Sequence, residues 1–255
     1  MKRTFAVLAA LLLFGAVKFP LEQAVDRAHR AAYFRGATLN LSLREQIGQG
    51  AFLAALSGFR GVIADLLSLQ ANDAWQNTQW SRVILLYNQI TTLDPRLALH
   101  WEMAANYMAF DASVSALNDP LQPRQALRVK TSREYMQIGR DFLERGIRNN
   151  PDRHALYTRL GFLLMEKFKD HQGAYEAYSQ AARFPDAFGY EERFAAYELA
   201  QCPGKEAQAY ALLVNLYRKG KNEHTPTLMR RIKALEEKLN ISSEQRVYNP
   251  AGTPP

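Results

Sequence analysis

Three prolines divide the helical part of this sequence into segments that cannot form one continuous helix. From Glu22 onward apolar residues recur at spacings of three and four, which predicts helices, and no run alternates Val, Ile and Thr as a strand would. Pro95, Pro151 and Pro185 each end one helical stretch and precede another. Proline has this effect because it lacks a backbone donor and clashes with the preceding turn. The sequence therefore predicts an all-α fold.

The spacing of these prolines indicates an internal repeat. The interval from Pro151 to Pro185 matches the period of about 34 residues that is typical of stacked helical hairpins. Pro95 precedes Pro151 by one such period plus an insertion. A second register lies one period upstream, where three pairs of residues are each one period apart: Leu67 and Trp101, Ala71 and Ala105, and Asn72 and Asn106. The sequence therefore predicts an array of hairpins.

The second helix of each unit carries small or medium apolar residues at spacings of four and three, which predicts a face packed on its neighbour. The four sets are Val83, Tyr87 and Ile90; Gly139, Leu143 and Gly146; Ala174, Tyr178 and Ala181; and, more loosely, Ala209, Leu213 and Leu216. An unrelated helical bundle would not place proline, bulky and small residues at matching offsets. We therefore favour a repeat array over such a bundle.

One unit resembles the tetratricopeptide repeat family. The residues that match the bulky, small and terminal-proline positions of that family are Tyr157, Leu160, Gly161, Ala174, Tyr178, Ala181 and Pro185. The resemblance covers about residues 61–220, as three good repeats and one degenerate repeat, and an insertion at 112–131 breaks the second unit. It implies a TPR-like α-solenoid of about four hairpins, in which the first helices line a concave groove that holds a peptide or helix of a partner protein.

The same resemblance supplies candidate groove residues. Asn72 and Asn106 fall at the same inner-facing offset one repeat apart, where their amides are expected to hydrogen-bond an extended peptide. Trp75 and Phe162 lie near this predicted surface. For these aromatic side chains, packing inside a hairpin is the alternative interpretation.

The chain is basic, with a net charge of +7, and part of that charge is clustered. Between Arg124 and Arg148 there are seven Lys or Arg residues and three acidic ones. The candidate contact residues of this stretch are Arg124, Arg128, Lys130, Arg133 and Arg140. They predict binding to phosphate headgroups or to an acidic subunit, and a solvated helix face is the alternative. Acidic residues interleave with the basic ones, so we do not expect a nucleic-acid partner.

The amino terminus predicts a membrane segment over residues 1–21. Basic Lys2 and Arg3 precede the uncharged run Thr4–Val17, which spans about 21 Å as a helix, short of the ~30 Å hydrocarbon core. An uncleaved signal anchor therefore needs Lys18 to extend towards the headgroups. A cleaved secretory signal is the alternative, although Phe14 spoils the small-x-small cleavage pattern. The basic start favours a single-pass protein of the cell membrane with its body on the non-cytoplasmic, periplasmic side.

The remaining boundaries follow from composition and capping signals. Residues 22–60 are predicted to be membrane-proximal helices and residues 61–223 to be the repeats. A capping helix is expected over 224–243, with Thr225 as N-cap and Pro226 in the first turn. Residues 244–255 are expected to form a flexible tail.

No motif for chemistry is recognisable. The five histidines form no HxxxH pair, there is no phosphate-binding Gly-rich loop or Gly-x-Ser-x-Gly elbow, and the single Cys202 is predicted to be an apolar filler. We therefore predict no catalytic residue, cofactor, metal or small-molecule substrate. The predicted function is a non-catalytic, membrane-anchored scaffold or accessory subunit of a complex. The alternatives are a secreted or periplasmic chaperone or assembly factor with a cleaved signal, and a helical enzyme with an unrecognised site.

Overall fold

The computed structural model describes residues 58–247, which contain helices and turns and no β-strand. The all-α prediction is thus confirmed for this part of the chain. The predicted anchor at 1–21, nearly all of the predicted membrane-proximal helices at 22–60 and the end of the predicted tail lie outside the described residues. The chain divides into two compact units between Pro151 and Asp152, here called unit 1 and unit 2.

Unit 1 is built from long helices that pack on one another in chain order. Its helices are α1 (Arg60–Gln76), α2 (Trp80–Leu93), α3 (Ala98–Asn106), α4 (Ser113–Leu117) and α5 (Gln125–Asn149). A π-helical turn, Tyr107–Ala112, joins α3 to α4 without a break. The short turn after α1 makes a hairpin with α2, and α5 packs along α3, the π-helical turn and α4.

Two of the predicted proline turns lie side by side in unit 1. The indole Nε1 of Trp101 and the amide Nδ2 of Asn150 both donate to the carbonyl oxygen of Pro95, over 3.0 and 2.8 Å. In the same place the guanidinium of Arg96 donates to the carbonyl oxygen of Asn149 over 2.8 Å. These bonds join the turn before α3 to the end of α5, so both prolines end helices as the sequence predicts.

Glycines allow α5 to approach α3 closely. A Cβ atom on Gly139 would lie 2.7 Å from the Cβ of Ala109 and 2.8 Å from the carbonyl oxygen of Ala105, beside the π-helical turn. A Cβ on Gly146 would lie 2.8 Å from the Cβ of Trp101. Real Cβ atoms do not approach so closely, because a packed interior has no room to yield. The small residues predicted for this helix face therefore serve its packing.

The predicted insertion at 112–131 is not a break in the hairpin. Part of it continues the first helix through Leu117, and part of it forms the first turns of α5, which is 25 residues long. Only the loop at 118–124 connects the two helices. The inserted residues thus lengthen both arms of one hairpin, because each arm keeps apolar positions at helical spacing.

Unit 2 contains shorter helices, each packed on the next. They are α6 (His154–Leu163), α7 (His171–Ala181), α8 (Gly189–Leu199), α9 (Glu206–Arg218) and α10 (Pro226–Lys238). A π-helical turn, Leu164–Phe168, extends α6, and 3-10 turns lie at Lys221–Glu223 and Ser243–Gln245. All twelve apolar residues predicted for the second-helix faces of the two units are buried.

Small and bulky residues also meet within unit 2. A Cβ on Gly161 would lie 2.9 Å from Cδ2 of Tyr178, so the ring of Tyr178 in α7 fills the space beside α6. The α10 helix begins as predicted, because the hydroxyl of Thr225 accepts from the backbone N–H of Leu228 and Pro226 occupies the first turn. Its apolar face, centred on Ile232, is buried against α9. Among the helices described over 58–247, none is both long and apolar enough to cross a membrane.

Candidate partner-binding surfaces

Asn72 and Asn106 occupy equivalent surroundings in unit 1. Both side chains are exposed, on α1 and on the last turn of α3. The residues that precede them, Ala71 and Ala105, are both buried. The predicted register therefore corresponds to a repeated pattern of burial, and it leaves both amides accessible to a partner.

Trp75 is bound within unit 1. Its indole Nε1 donates to Oδ2 of Asp111 over 2.8 Å, and its ring stacks on Tyr107 with centroids 5.3 Å apart. One turn further along the same helix, Ser115 accepts from Nε1 of Trp80 over 3.1 Å. The two indoles thus tie the α1–α2 turn to the helix that runs from α3 into α4. Trp75 takes the packing role that the sequence left open, and its N–H group is already used.

Phe162, the fourth candidate, belongs to unit 2, whereas the other three belong to unit 1. It lies on α6 with 37% of its surface exposed. Of the predicted candidates in unit 2, it is the one with an accessible aromatic ring.

A larger aromatic surface lies at the start of α8, and sequence reasoning missed it. Phe188 stacks on Tyr190 with centroids 5.5 Å apart, and Tyr190 meets Phe194 edge to face, also at 5.5 Å. Phe188 is 55% exposed and Phe194 is 36% exposed. We call Phe188, Tyr190 and Phe194 the aromatic ladder. Its sequence signal was three aromatic residues within seven positions, next to a proline turn.

The aromatic ladder is backed by a buried polar pair. Nδ1 of His154 lies 2.9 Å from Oε1 of Glu191, which also accepts from the hydroxyl of Thr158. Glu191 has no exposed surface, and its second oxygen, Oε2, has no hydrogen-bond partner. The imidazole of His154 packs edge to face on Phe188 at 5.0 Å. The pair therefore fixes the start of α8 against α6 and holds the first ring of the ladder.

A second pair of the same kind lies two turns along α8. Nδ1 of His171, at the start of α7, is 2.7 Å from Oε2 of Glu198. The thiol of Cys202 donates to the carbonyl oxygen of Glu198 over 3.5 Å, and burial, followed by the charge of Glu198, raises the thiol pKa. A raised pKa makes a thiol a poor nucleophile. Cys202 is buried, as the sequence predicts.

Burial and charge also raise the pKa of nearby tyrosines. Burial is the first cause for the raised pKa of the Tyr190 hydroxyl, the charge of Glu191 adds to it, and Arg159 acts in the opposite direction. Burial raises the pKa of Tyr178 further, with Glu198 as the next cause. These phenols are therefore neutral across the physiological range. Within residues 58–247, no three His, Cys, Asp or Glu side chains are arranged to hold a metal ion.

The predicted basic stretch on α5 divides into two parts. In its second part the cations are paired: Arg140 with Glu144 over 2.7 Å and Arg145 with Asp141 over 2.8 Å. In the first part Lys130 lies 3.7 Å from Glu134, while the other three cations make no ion pair with any described residue. These three are Arg124, Arg128 and Arg133. Available positive charge is thus concentrated at the start of α5.

Among models of known protein families and among curated protein sequences, none matches this chain. The tetratricopeptide resemblance therefore stays a prediction. It rests on the proline spacing, the small residues and the repeated burial pattern described above.

Proposed function

We propose that this chain is a non-catalytic scaffold, held at a membrane by its amino-terminal segment, whose tetratricopeptide-like hairpins bind a partner protein. One observation carries the proposal: the aromatic ladder is exposed although its rings are large, apolar and held in fixed positions. Exposed apolar patches of this kind mark interaction sites on soluble domains.

The surroundings of the ladder favour a protein partner. Aromatic side chains dominate the binding energy of protein interfaces because they bury much apolar area with few rotatable bonds. Contacts to His154 and to its neighbour Tyr190 hold the ring of Phe188, so binding would cost little side-chain entropy. The natural ligand is an apolar peptide or helix face of another subunit.

The repeat character supports the same function. Ala71 and Ala105 are buried one predicted period apart, and the exposed Asn72 and Asn106 follow them. Small residues such as Gly161 let a bulky ring of the next helix approach, as stacked hairpins require. The membrane part of the proposal rests on the apolar sequence of residues 1–21 alone.

Purification of the full chain in mild detergent tests the proposal. We expect a partner protein to co-purify with the wild type, to be lost with Phe188→Ser and to be retained with Lys233→Ser. Lys233 is the matched control because it is exposed on α10, away from the ladder in the sequence. Recovery of the wild type only as a free monomer would contradict the proposed function.

A further inference from the structure

The loop between α4 and α5, residues 118–124, presents an isolated leucine to solvent. Leu121 is 90% exposed, more than any other large apolar side chain described. The loop holds its own backbone: Oδ1 of Asp119 accepts from the N–H of Leu121 over 2.9 Å, and Oε1 of Gln122 accepts from the N–H of Arg124 over 3.3 Å. These side-chain turns fix the loop in one conformation, so the exposure of Leu121 is built into the loop.

Apolar side chains on both flanking helices extend this surface. Leu117 ends α4 and Leu127 lies in the first turn of α5, and both are exposed. With Leu121 they form a small apolar tip at one end of the longest hairpin of unit 1. A protruding tip has no concave wall, so it suits insertion into a soft medium better than docking into a groove on itself.

Uncompensated positive charge lies next to this tip. Arg124 and Arg128 are one helical turn apart on α5, and neither pairs with a described acidic residue. The Nε of Arg128 is buried and has no hydrogen-bond partner. Residues 118–133 contain four basic side chains and one acidic side chain, Asp119. A guanidinium without a partner favours an oxygen-rich anion such as a phosphate.

We propose that this loop is a second membrane contact, in which Leu121 inserts among the headgroups of an anionic bilayer while Arg124 and Arg128 bind lipid phosphates. The combination of an apolar tip and adjacent cations is the chemistry by which peripheral segments bind anionic membranes. The proposal rests on the membrane location in the proposed function and is independent of any partner protein.

Another exposed apolar row shows that exposed leucines alone would not suffice. Leu66 and Leu69 on α1 are also exposed, but their neighbours on that helix include the acidic Asp65 and Asp73. An anionic surface repels that row. Leu69 is therefore a matched control for Leu121: both are exposed leucines of unit 1, and their flanking charges have opposite sign.

An environment-sensitive label tests the proposal in the full chain. Cys202 is replaced by Ala, a single cysteine is introduced as Leu121→Cys or as Leu69→Cys, and each variant is labelled with the fluorophore NBD. The labelled chains are incorporated into nanodiscs made either of phosphatidylcholine alone or of phosphatidylcholine with phosphatidylglycerol as a minor anionic component. We expect a several-fold rise and a blue shift of the emission at position 121 with phosphatidylglycerol, and no change at position 69.

The cations are tested in the same assay. Each cation near an anionic surface contributes about fivefold to binding, so Arg124→Gln with Arg128→Gln should lower the ratio of inserted to free label about 30-fold. Raising the salt to ~0.5 M should weaken the signal of the unsubstituted arginines, which checks the charge dependence without a mutation.

Three results would overturn the proposal. One is an emission at position 121 that stays water-like in both kinds of nanodisc. Another is an equal response at positions 121 and 69, which would mean general proximity to the bilayer. The third is a label protected only by a co-purified acidic protein, which would assign the tip to that partner. Loss of co-purification in the earlier experiment would leave these outcomes unchanged, so the two proposals fail separately.

Discussion

Nδ1 of His154 lies 2.9 Å from Oε1 of Glu191, and the Glu191 side chain has no exposed surface. The residues are 37 positions apart in the sequence and come from the first turns of α6 and α8. A buried carboxyl group needs such a partner, because its desolvation is otherwise uncompensated. The pair connects the packing of unit 2 to its exposed surface, since His154 also supports Phe188.

Removing the imidazole should therefore destabilise unit 2. We expect His154→Ala to lower the free energy of opening of α6–α8 by about 3 kcal/mol, because Glu191 keeps only Thr158 as a partner. Glu191→Gln should cost less, since the amide oxygen still accepts a hydrogen bond. Hydrogen exchange of the α6–α8 amides measures both. The control is Glu192→Gln at the half-exposed neighbouring position, and an equal loss in that variant would contradict this account.

Close packing between α3 and α5 predicts opposite effects for the same substitution at different glycines. Gly146→Ala should destabilise unit 1 by about 1–3 kcal/mol, because the new Cβ meets Trp101 and neither helix can move freely. Gly61→Ala, in α1, should stabilise it by up to about 1 kcal/mol, because a Cβ there contacts nothing within 4 Å. All three tryptophans lie in unit 1, so urea unfolding followed by tryptophan fluorescence reports on this unit. Equal effects of the two substitutions would show that the close approach is absent.

A buried histidine makes the stability of unit 1 depend on pH. Burial lowers the pKa of His100, only partly opposed by Asp94 and Asp65, and its Nδ1 has no hydrogen-bond partner. The unfolded chain therefore binds a proton near pH 6.5 that the folded chain binds only at lower pH. Stability should fall as the pH drops below about 6.5 and level off below the pKa of the folded state.

The variant His100→Leu tests this dependence. It should reduce the loss of unfolding free energy between about pH 7 and pH 5, measured again by tryptophan fluorescence. It removes the titrating group and keeps an apolar side chain in the buried space. An unchanged pH profile would assign the dependence to other groups.

The proposed anchor predicts the mass of the mature protein. If residues 1–21 form an uncleaved signal anchor, mass spectrometry of the chain isolated from membranes should recover peptides that include the run Thr4–Val17. A mature chain that begins after this run would support a cleaved signal and a secreted or periplasmic protein instead.

Much of the fold could be predicted from the sequence because its signals are local. Pro95 and Pro151 end helices as expected, and the small residues Gly139 and Gly161 lie at close helix contacts. Proline and glycine act through their own backbones and immediate neighbours, so their effects are visible without the fold. The N-cap at Thr225 belongs to the same class.

The candidate surfaces were harder to predict because they depend on distant residues. Glu191 has the sequence surroundings of a solvated helix carboxylate, and only the packing of α6 against α8 shows that it is buried beside His154. Trp75 stood next to a predicted groove residue, but its partner Asp111 is 36 positions away. The insertion at 112–131 was misjudged as a break because the count of residues does not show whether they lengthen a loop or a helix.

The aromatic ladder is the central claim, and site-specific photo-crosslinking in the native cell tests it most directly. A benzophenone side chain is introduced into the full chain at Phe188 or, as a control, at the exposed Lys233 of α10. We predict one discrete adduct with a partner protein at position 188, and loss of binding by that purified partner when Phe188→Ser is introduced. Absence of an adduct at position 188, or the same adducts at position 233, would contradict the account.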